Sequence, residues 1–195
     1  MDRRTHYLGC ALELFSAHGY HGVSMDQLVA AAGGSKATLY RYFASKEELF
    51  AAIIDDLTTR TVAERSSAEL AGLSLEEGLR AIGHATARAA LGEQATVLFR
   101  LAVGEYERFP ELARTMFEQG PAVSYARLRD LLAHRVAAGE IEIDDLQIAA
   151  EQFLGGIVGH QQLRRALGQD PPDSSAISAR VEAAIRTFLA AHRPT

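Results

Sequence analysis

The sequence contains a single cysteine, Cys10, so no disulfide can form within the chain. It has no run of about 18 apolar residues, the length that spans a bilayer, and no apolar secretion segment at its start. It also lacks an HExxH motif, a cysteine pair and a carboxylate cluster, and its closest histidines, His18 and His21, flank a glycine. We therefore expect a cytoplasmic protein that has no membrane partner, no metal site and no cofactor.

The signature of an α/β enzyme is missing too. The sequence shows no repeating strand and helix pattern and no glycine-rich nucleotide loop, and the strand-like residues 141–143 are too few for a sheet. Apolar residues instead recur at helical spacing. We predict an all-α fold with helices over residues 5–18, 46 towards 70, 74–91, 93–108, 110–119, 121–138, from 144 onwards, and 175–192.

Helix starts follow one another closely between Ser24 and Phe50. Ser24 with Gln27, and Ser45 with Glu48, match the capping box, in which two side chains satisfy helix N–H groups that lack partners. The spacing predicts one helix after Ser24 and another after Ser45.

A third helix start lies between these two. Gly33 and Gly34 follow an apolar run, where a helix end favours a residue able to adopt positive φ, and Ser35 is a suitable N-cap for the next helix. A helix, a tight glycine turn and a short second helix are typical of a helix-turn-helix.

The short second helix, residues 36–43, has two distinct faces. Leu39 and Phe43 fall together on one face, which must pack against the domain. The opposite face carries Ala37, Thr38 and Arg41, and Tyr40 and Tyr42 flank it with hydroxyl groups able to donate to a phosphate.

Lys36 and Lys46 are the only lysines in the chain, and both lie in the first turn of a predicted helix. A cation is unfavourable there unless an anion is close, because the helix dipole places positive charge at that end. A phosphate group would supply that anion.

The segment ALELFSAHGYHGVSMDQLVAAAGGSKATLYRYFASKEELF resembles the N-terminal domain of TetR-type (AcrR-like) transcriptional regulators. The resemblance covers residues 5–50. It implies a three-helix DNA-binding domain whose third helix enters the major groove, followed by a helical domain that senses an effector. One departure is Gly34, where the family usually has an apolar residue, and we expect it to loosen the packing of the turn.

The resemblance implies the residues that face DNA. Arg41 occupies a variable position that often helps to read the sequence. The DNA-binding residues predicted from the capping pattern and the resemblance together are Ser24, Ser35, Lys36, Ala37, Thr38, Tyr40, Arg41, Tyr42 and Lys46.

We expect two domains, a DNA-binding domain over residues 1–50 and an effector-binding and dimerisation domain over residues 51–195. The first contains five basic and five acidic residues, so the net charge of −5 comes entirely from the second. Affinity for phosphate must therefore depend on local placement of charge, and nonspecific binding should depend strongly on salt.

Two predicted helices near the end of the chain have wide apolar faces. Gly155, Gly156 and Gly159 interrupt the first of these helices, and we expect another helix to approach them closely. The two helices resemble the family's dimer interface, with burial inside one subunit as the alternative. The predicted interface residues are Phe153, Leu154, Ile157, Val158, Val181, Ile185, Phe188 and Leu189.

No sharp constellation marks an effector pocket. We expect an apolar cavity among the helices of residues 50–140, with a few polar groups that orient one small molecule. The candidate lining residues are His84, Arg88, Phe99, Val103, Tyr106, Phe117 and Tyr125, with Gln94 as a further polar group.

These features predict a ligand-responsive transcriptional regulator, a repressor that binds a palindromic double-stranded operator as a homodimer and is released by an unidentified small molecule. Two alternatives remain. A nonspecific DNA-packaging protein would need an extended basic surface, which the acidic charge opposes, and a helical enzyme would need an acid, base or nucleophile set at a recognisable spacing.

Overall fold

Helices form nearly all of the regular structure in the computed structural model, which describes residues 2–62 and 72–194, with the side chains of residues 60–62 excepted. The described residues contain no strand. The helices are α1 (Arg3–His18), α2 (Met25–Ala32), α3 (Lys36–Tyr42), α4 (Lys46–Val62), α5 (Leu75–Leu91), α6 (Glu93–Gly104), α7 (Pro110–Gln119), α8 (Pro121–Ala137), α9 (Leu146–Ala166) and α10 (Ser174–Ala191). The all-α prediction is confirmed.

Side-chain caps position most of the helix starts. At α2 the Ser24 hydroxyl accepts from the Gln27 N–H at 3.2 Å, while the Gln27 side chain accepts from the Ser24 N–H at 2.7 Å. Ser74 and Glu77 form the same reciprocal box at α5. The capping box predicted at Ser24 is therefore present, and α5 begins with a box of the same kind.

The predicted box at α4 is only half formed. Ser45 Oγ accepts from the Glu48 N–H at 3.1 Å, as predicted. The Glu48 carboxylate instead accepts a hydrogen bond from the N–H of Ala44, the residue before Ser45, at 2.7 Å. The prediction of a reciprocal box there was wrong in this detail.

Some predicted ends also differ. α6 ends at Gly104 rather than at Arg108, and residues 105–108 form turns. Residues 141–143 form no strand, and the Glu142 N–H donates to the carbonyl of His192. The predicted extension of α4 towards Leu70 lies outside the described residues beyond Val62.

The first of two compact units comprises Met1–Leu57 and Glu93–Gln119. Its core is formed by aromatic and aliphatic side chains of α1–α4, together with Leu98 of α6 and Leu112 of α7. These two leucines are only 1 % exposed, so α6 and α7 complete the core of the helix-turn-helix. The unit therefore does not end at residue 50, where the sequence indicated a domain boundary.

The second unit comprises Thr58–Gly92 and Gly120–Thr195. Its core lies among α5, α8, α9 and α10, and Phe153 of α9 meets Phe188 of α10 edge to face at 5.5 Å. Arg80 joins α5 to α10 through hydrogen bonds to the Glu182 carboxylate at 2.5 and 2.9 Å.

The apolar faces of α9 and α10 pack into the core of this unit. Apart from Leu189, which is half-buried, the residues predicted to form a dimer interface are at most 8 % exposed in the single chain. Such side chains cannot meet a second subunit without leaving the core of their own. Phe153, Leu154, Ile157, Val158, Val181, Ile185 and Phe188 therefore belong to the core of the single subunit, as the alternative interpretation expected, and the dimer interface stays a prediction.

The described part of the chain contains neither a membrane-spanning helix nor a cluster of metal-ligating side chains. None of the helices there is both long and apolar enough to cross a membrane. Among the same residues, no group of three or more histidine, cysteine or acidic side chains is placed to hold a metal ion.

Candidate nucleic-acid interface

The short helix α3 has one buried side and one exposed side. Leu39 is fully buried and Phe43, which caps the helix in an extended conformation, is 2 % exposed. The outward side presents Lys36, Ala37, Tyr40 and Arg41, with Thr38 half-buried. The structure thus brings together on one surface most of the residues that the sequence predicted to face DNA.

The start of α3 is held by Ser35. Its hydroxyl accepts from the Thr38 N–H at 3.2 Å and lies 2.9 Å from the Thr38 hydroxyl. This pairing fixes the Thr38 side chain before any DNA is present, so that its methyl and hydroxyl groups have a defined orientation. Ser35 and Ser24 are themselves exposed, within reach of a partner at this surface.

Aromatic rings support the C-terminal end of α3. The Tyr42 ring is half-buried, 6.0 Å from the Tyr7 ring, and the Arg41 guanidinium lies 5.4 Å from the centre of the Tyr42 ring. A cation held over a ring face loses part of its conformational freedom. Tyr42 therefore orients Arg41, a role that the sequence did not reveal. Tyr40 is 45 % exposed.

The turn before α3 depends on glycine. Gly33 and Gly34 have φ values of +69° and +109°, as expected for residues that must leave the usual backbone regions. A Cβ on Gly34 would lie 2.6 Å from an Arg3 guanidinium nitrogen and 3.1 Å from the Tyr7 hydroxyl. An apolar residue would be strained at this positive φ and would displace the tip of the Arg3 side chain, so glycine suits this turn next to α1.

The anion beside Lys36 is a carboxylate. Its ammonium lies 2.7 Å from Asp26 of α2, and both side chains are exposed. The hydrogen bond to Asp26 raises the pKa of Lys36 above its usual value. Lys36 thus stays charged, and its exposed ion pair can exchange for a phosphate at small cost.

Lys46 is placed quite differently. Its ammonium donates to the backbone carbonyls of Tyr20 and Val23, both at 2.8 Å, and lies 4.2 Å from the centre of the Tyr20 ring. Burial lowers the pKa of Lys46. Two of its three N–H donors therefore point into the protein, although the sequence pattern indicated contact with DNA.

The residues predicted to line an effector pocket belong to different units. His84, Arg88 and Tyr125 are part of the second unit, whereas Phe99, Val103, Tyr106 and Phe117 are part of the first. Val103, Tyr106 and Phe117 are 61, 58 and 57 % exposed. Neither unit by itself assembles the predicted set.

A shallow cavity of about 290 Å³ lies within the first unit, beside α1 and α6. None of its lining residues was predicted, because their sequence pattern is that of an ordinary amphipathic helix. They are Ser16, Val97, Arg100, Leu101, Gly104 and Glu105.

The outward side of α9 carries three glycines and exposed aliphatic residues, next to the polar residues Gln152 and His160. Ile148, Leu163 and Leu167 are 52, 58 and 72 % exposed. On the same side, no atom of the described residues lies within 4 Å of a Cβ placed on Gly155, Gly156 or Gly159. The close approach expected at these glycines is therefore not made by residues 2–62 or 72–194 of the same chain.

Two family models match the chain. Residues 8–53 match the bacterial regulatory proteins of the TetR family, and residues 77–194 match the C-terminal domain of AefR-like transcriptional repressors. Together these matches account for both the helix-turn-helix and the helices of the second unit.

Whole-chain relatives are regulators as well. The flavonoid-responsive regulator FrrA is 35 % identical, with 98 % of this chain and 97 % of that one covered and a TM-score of 0.79. A TetR transcriptional regulator from Agrobacterium tumefaciens is 28 % identical, with 100 % and 96 % covered and a TM-score of 0.75. A helix-turn-helix transcriptional regulator of Mycobacterium tuberculosis is 27 % identical over 188 residues, which cover 96 % of this chain and 88 % of that protein.

The family and these relatives consist of DNA-binding transcriptional regulators rather than enzymes. Their covered lengths include both units of the chain, and the exposed side of α3 lies in the part that matches the DNA-binding model. The chain belongs to the TetR family of bacterial transcriptional regulators.

Proposed function

We propose that this regulator is a repressor that binds a palindromic operator as a homodimer and loses affinity when a small effector binds. The observation that carries the DNA-reading part is the exposed side of α3, whose Thr38 and Arg41 are oriented by Ser35 and Tyr42. Oriented donors read base edges better than mobile ones, because less conformational entropy is lost on binding.

Specificity requires two copies of α3. A helix of seven residues, Lys36–Tyr42, makes two turns and reaches only a few base pairs. A two-fold dimer would present two such helices to successive major grooves and read a palindrome.

The dimer would use the outward sides of α9 and α10 in place of the buried ones. Gly155, Gly156 and Gly159 on α9 leave the backbone open, and the exposed side of α10 carries the small residues Ala179, Ala183 and Ala190. Small side chains let two helices pack at a short interaxial distance. The exposed leucines Leu163 and Leu167 would flank this contact and lose their apolar surface to it.

The effector remains to be identified, and the relatives suggest its chemistry. The FrrA regulator is flavonoid-responsive by name, and the second family model describes repressors. We propose an aromatic molecule of the flavonoid class as the effector. It must prefer the form that does not bind DNA, and a tenfold loss of operator affinity needs about 1.4 kcal/mol of that preference.

The experiment has two steps. Genomic fragments from the source organism are selected with the purified full chain, and the bound sequences are compared for two-fold symmetry. The operator complex is then titrated with naringenin or genistein, and with stearoyl-CoA as a contrast. If the proposal holds, the bound fragments share a palindromic sequence and the flavonoid releases the protein from them. Bound fragments that share no sequence would contradict specific recognition.

A further inference from the structure

The loop between α1 and α2, residues 19–24, has no regular structure, yet side chains from two other elements bind its backbone. The carbonyls of Tyr20 and Val23 accept hydrogen bonds from the Lys46 ammonium of α4 at 2.8 Å each. The His21 N–H donates to a Glu105 carboxylate oxygen, at 3.1 Å, just beyond the end of α6. All of these residues lie within the first compact unit.

Aromatic packing reinforces the same junction. The Tyr20 ring makes edge contacts with Phe50 of α4 at 5.7 Å and with Phe109 at 5.0 Å. The Lys46 ammonium lies over both the Tyr20 and the Phe109 rings, at 4.2 and 5.9 Å from their centres. Residues of α4 and of the α6–α7 segment therefore hold one loop from two sides.

The loop leads directly into the DNA-reading helices. Ser24, its last residue, is the N-cap of α2 and forms the capping box with Gln27. α2 and α3 are connected by the tight turn at Gly33 and Gly34, share one core, and are paired through Lys36 of α3 and Asp26 of α2. A shift of the loop would therefore change the entry of α2 and with it the placement of α3.

We propose that Lys46 is a positioning residue: it acts on DNA binding by fixing this loop rather than by contacting a phosphate, and Glu105 holds the same loop from the end of α6. The proposal rests on the proposed function, since it concerns how α3 is presented to DNA. Through Glu105, a movement of α6 or α7 would also shift the loop that leads into the DNA-binding helices. Lys36, the other lysine, keeps the role of a phosphate contact.

The two lysines offer a matched test. Lys46→Met keeps the hydrocarbon stem over Tyr20 but removes the donors, and Lys36→Met is the control at an exposed position. Operator affinity of the full-length protein is measured across salt concentrations. A lost phosphate contact lowers the salt slope by about 0.9 for each phosphate. We expect Lys46→Met to weaken binding about tenfold or more with an unchanged slope, and Lys36→Met to reduce the slope.

A second readout needs no DNA. Amide hydrogen exchange of the free protein should quicken in residues 19–24 and in the first turn of α2 in Lys46→Met, but not in Lys36→Met. Lys46→Arg, whose guanidinium can donate to both carbonyls, should restore slow exchange and most of the affinity. Lys46→Met could prove too unstable to titrate. A fall in its melting temperature that Lys36→Met does not show would then support a role of Lys46 in holding the loop.

Glu105→Ala is expected to quicken exchange at His21 alone and to weaken binding less than Lys46→Met does. A reduced salt slope in Lys46→Met, equal to that of Lys36→Met, would overturn the proposal, as would unchanged exchange in the loop. Failure of the parent protein to bind any genomic fragment would instead contradict the proposed function and leave the exchange result to decide the role of Lys46.

Discussion

Helices α3 and α9 each have one apolar side and one side that faces outward, but the two outward sides differ in kind. On α3 the outward side carries Thr38 and Arg41, which can hydrogen-bond to bases. On α9 it carries glycines, aliphatic residues and the polar Gln152 and His160, and no atom of the described chain lies within 4 Å of a Cβ placed on Gly156 or Gly159. In both helices the most apolar side packs into the core of the subunit, and we propose that the outward side is the one that meets a partner.

The largest expected effect tests the buried side of α9. Phe153→Ala should lower the free energy of unfolding by about 3–5 kcal/mol, because it removes a fully packed ring and leaves a cavity. Arg164→Ala, at an exposed position of the same helix, is the control and should leave the stability of the subunit nearly unchanged. Urea unfolding at one fixed protein concentration measures both. Equal losses would break the distinction between the two sides.

A large substitution on the outward side of α9 tests whether this side forms the proposed dimer contact. Gly159→Glu should weaken self-association on the order of tenfold or more, about 1.4 kcal/mol, because a charged side chain would have to be accommodated at a close helix contact. The fold of the subunit should persist, since open space surrounds this position and a helix interior favours other residues over glycine.

Analytical ultracentrifugation gives the dissociation constant of the dimer for this variant. Glu151→Gln, at an exposed position of the same helix, provides a control for altered charge. An unchanged constant in Gly159→Glu would show that the outward side of α9 is not the interface.

On the α3 side, the turn that places the helix can be altered. Gly34→Ala should destabilise the protein by roughly 1 kcal/mol or more, because alanine is strained at a positive φ and its Cβ would press on Arg3. Gly33→Ala is a useful comparison, since the φ there is also positive but nothing described lies within 4 Å of the added Cβ. Thermal unfolding measures both, and an equal effect would mean that contact with α1 contributes nothing.

The sequence identified the caps, the glycine turn and the faces of α3, because each depends on residues a few positions apart. It did not reveal the direction of Lys46, whose partners are backbone carbonyls more than twenty residues away and leave no mark in the side-chain pattern. The same limit applies to α9. Periodicity identifies an apolar side but does not say whether α5 and α10 or a second subunit will cover it.

The grouping of α6 and α7 with the helix-turn-helix also lay beyond the sequence pattern. The buried positions Leu98 and Leu112 are ordinary apolar residues of amphipathic helices, and nothing in their spacing names the core that receives them. Long-range packing of this kind is decided by the whole set of helix faces. The resemblance to a family supplied the DNA-binding residues as a set, but not which of them act through another group.

The smallest expected effect concerns the orientation of Arg41. Tyr42→Leu removes the ring beneath the guanidinium while keeping an apolar side chain against the core, and should weaken operator binding by about 0.5–1 kcal/mol, the worth of an exposed cation–π contact. The salt slope should stay the same if only the orientation of Arg41 is lost. A loss equal to that of Arg41→Ala would mean that Tyr42 itself contacts DNA.

The most direct test of the account compares operator DNA with scrambled DNA for the double variant Thr38→Ala and Arg41→Ala. Arg114→Ala, an exposed arginine of α7, is the control. If the outward side of α3 reads the sequence, the double variant should lose roughly 1–3 kcal/mol of discrimination for each base contact while its helical content is retained. Discrimination as strong as that of the parent protein and the Arg114→Ala control would contradict the assignment of this surface.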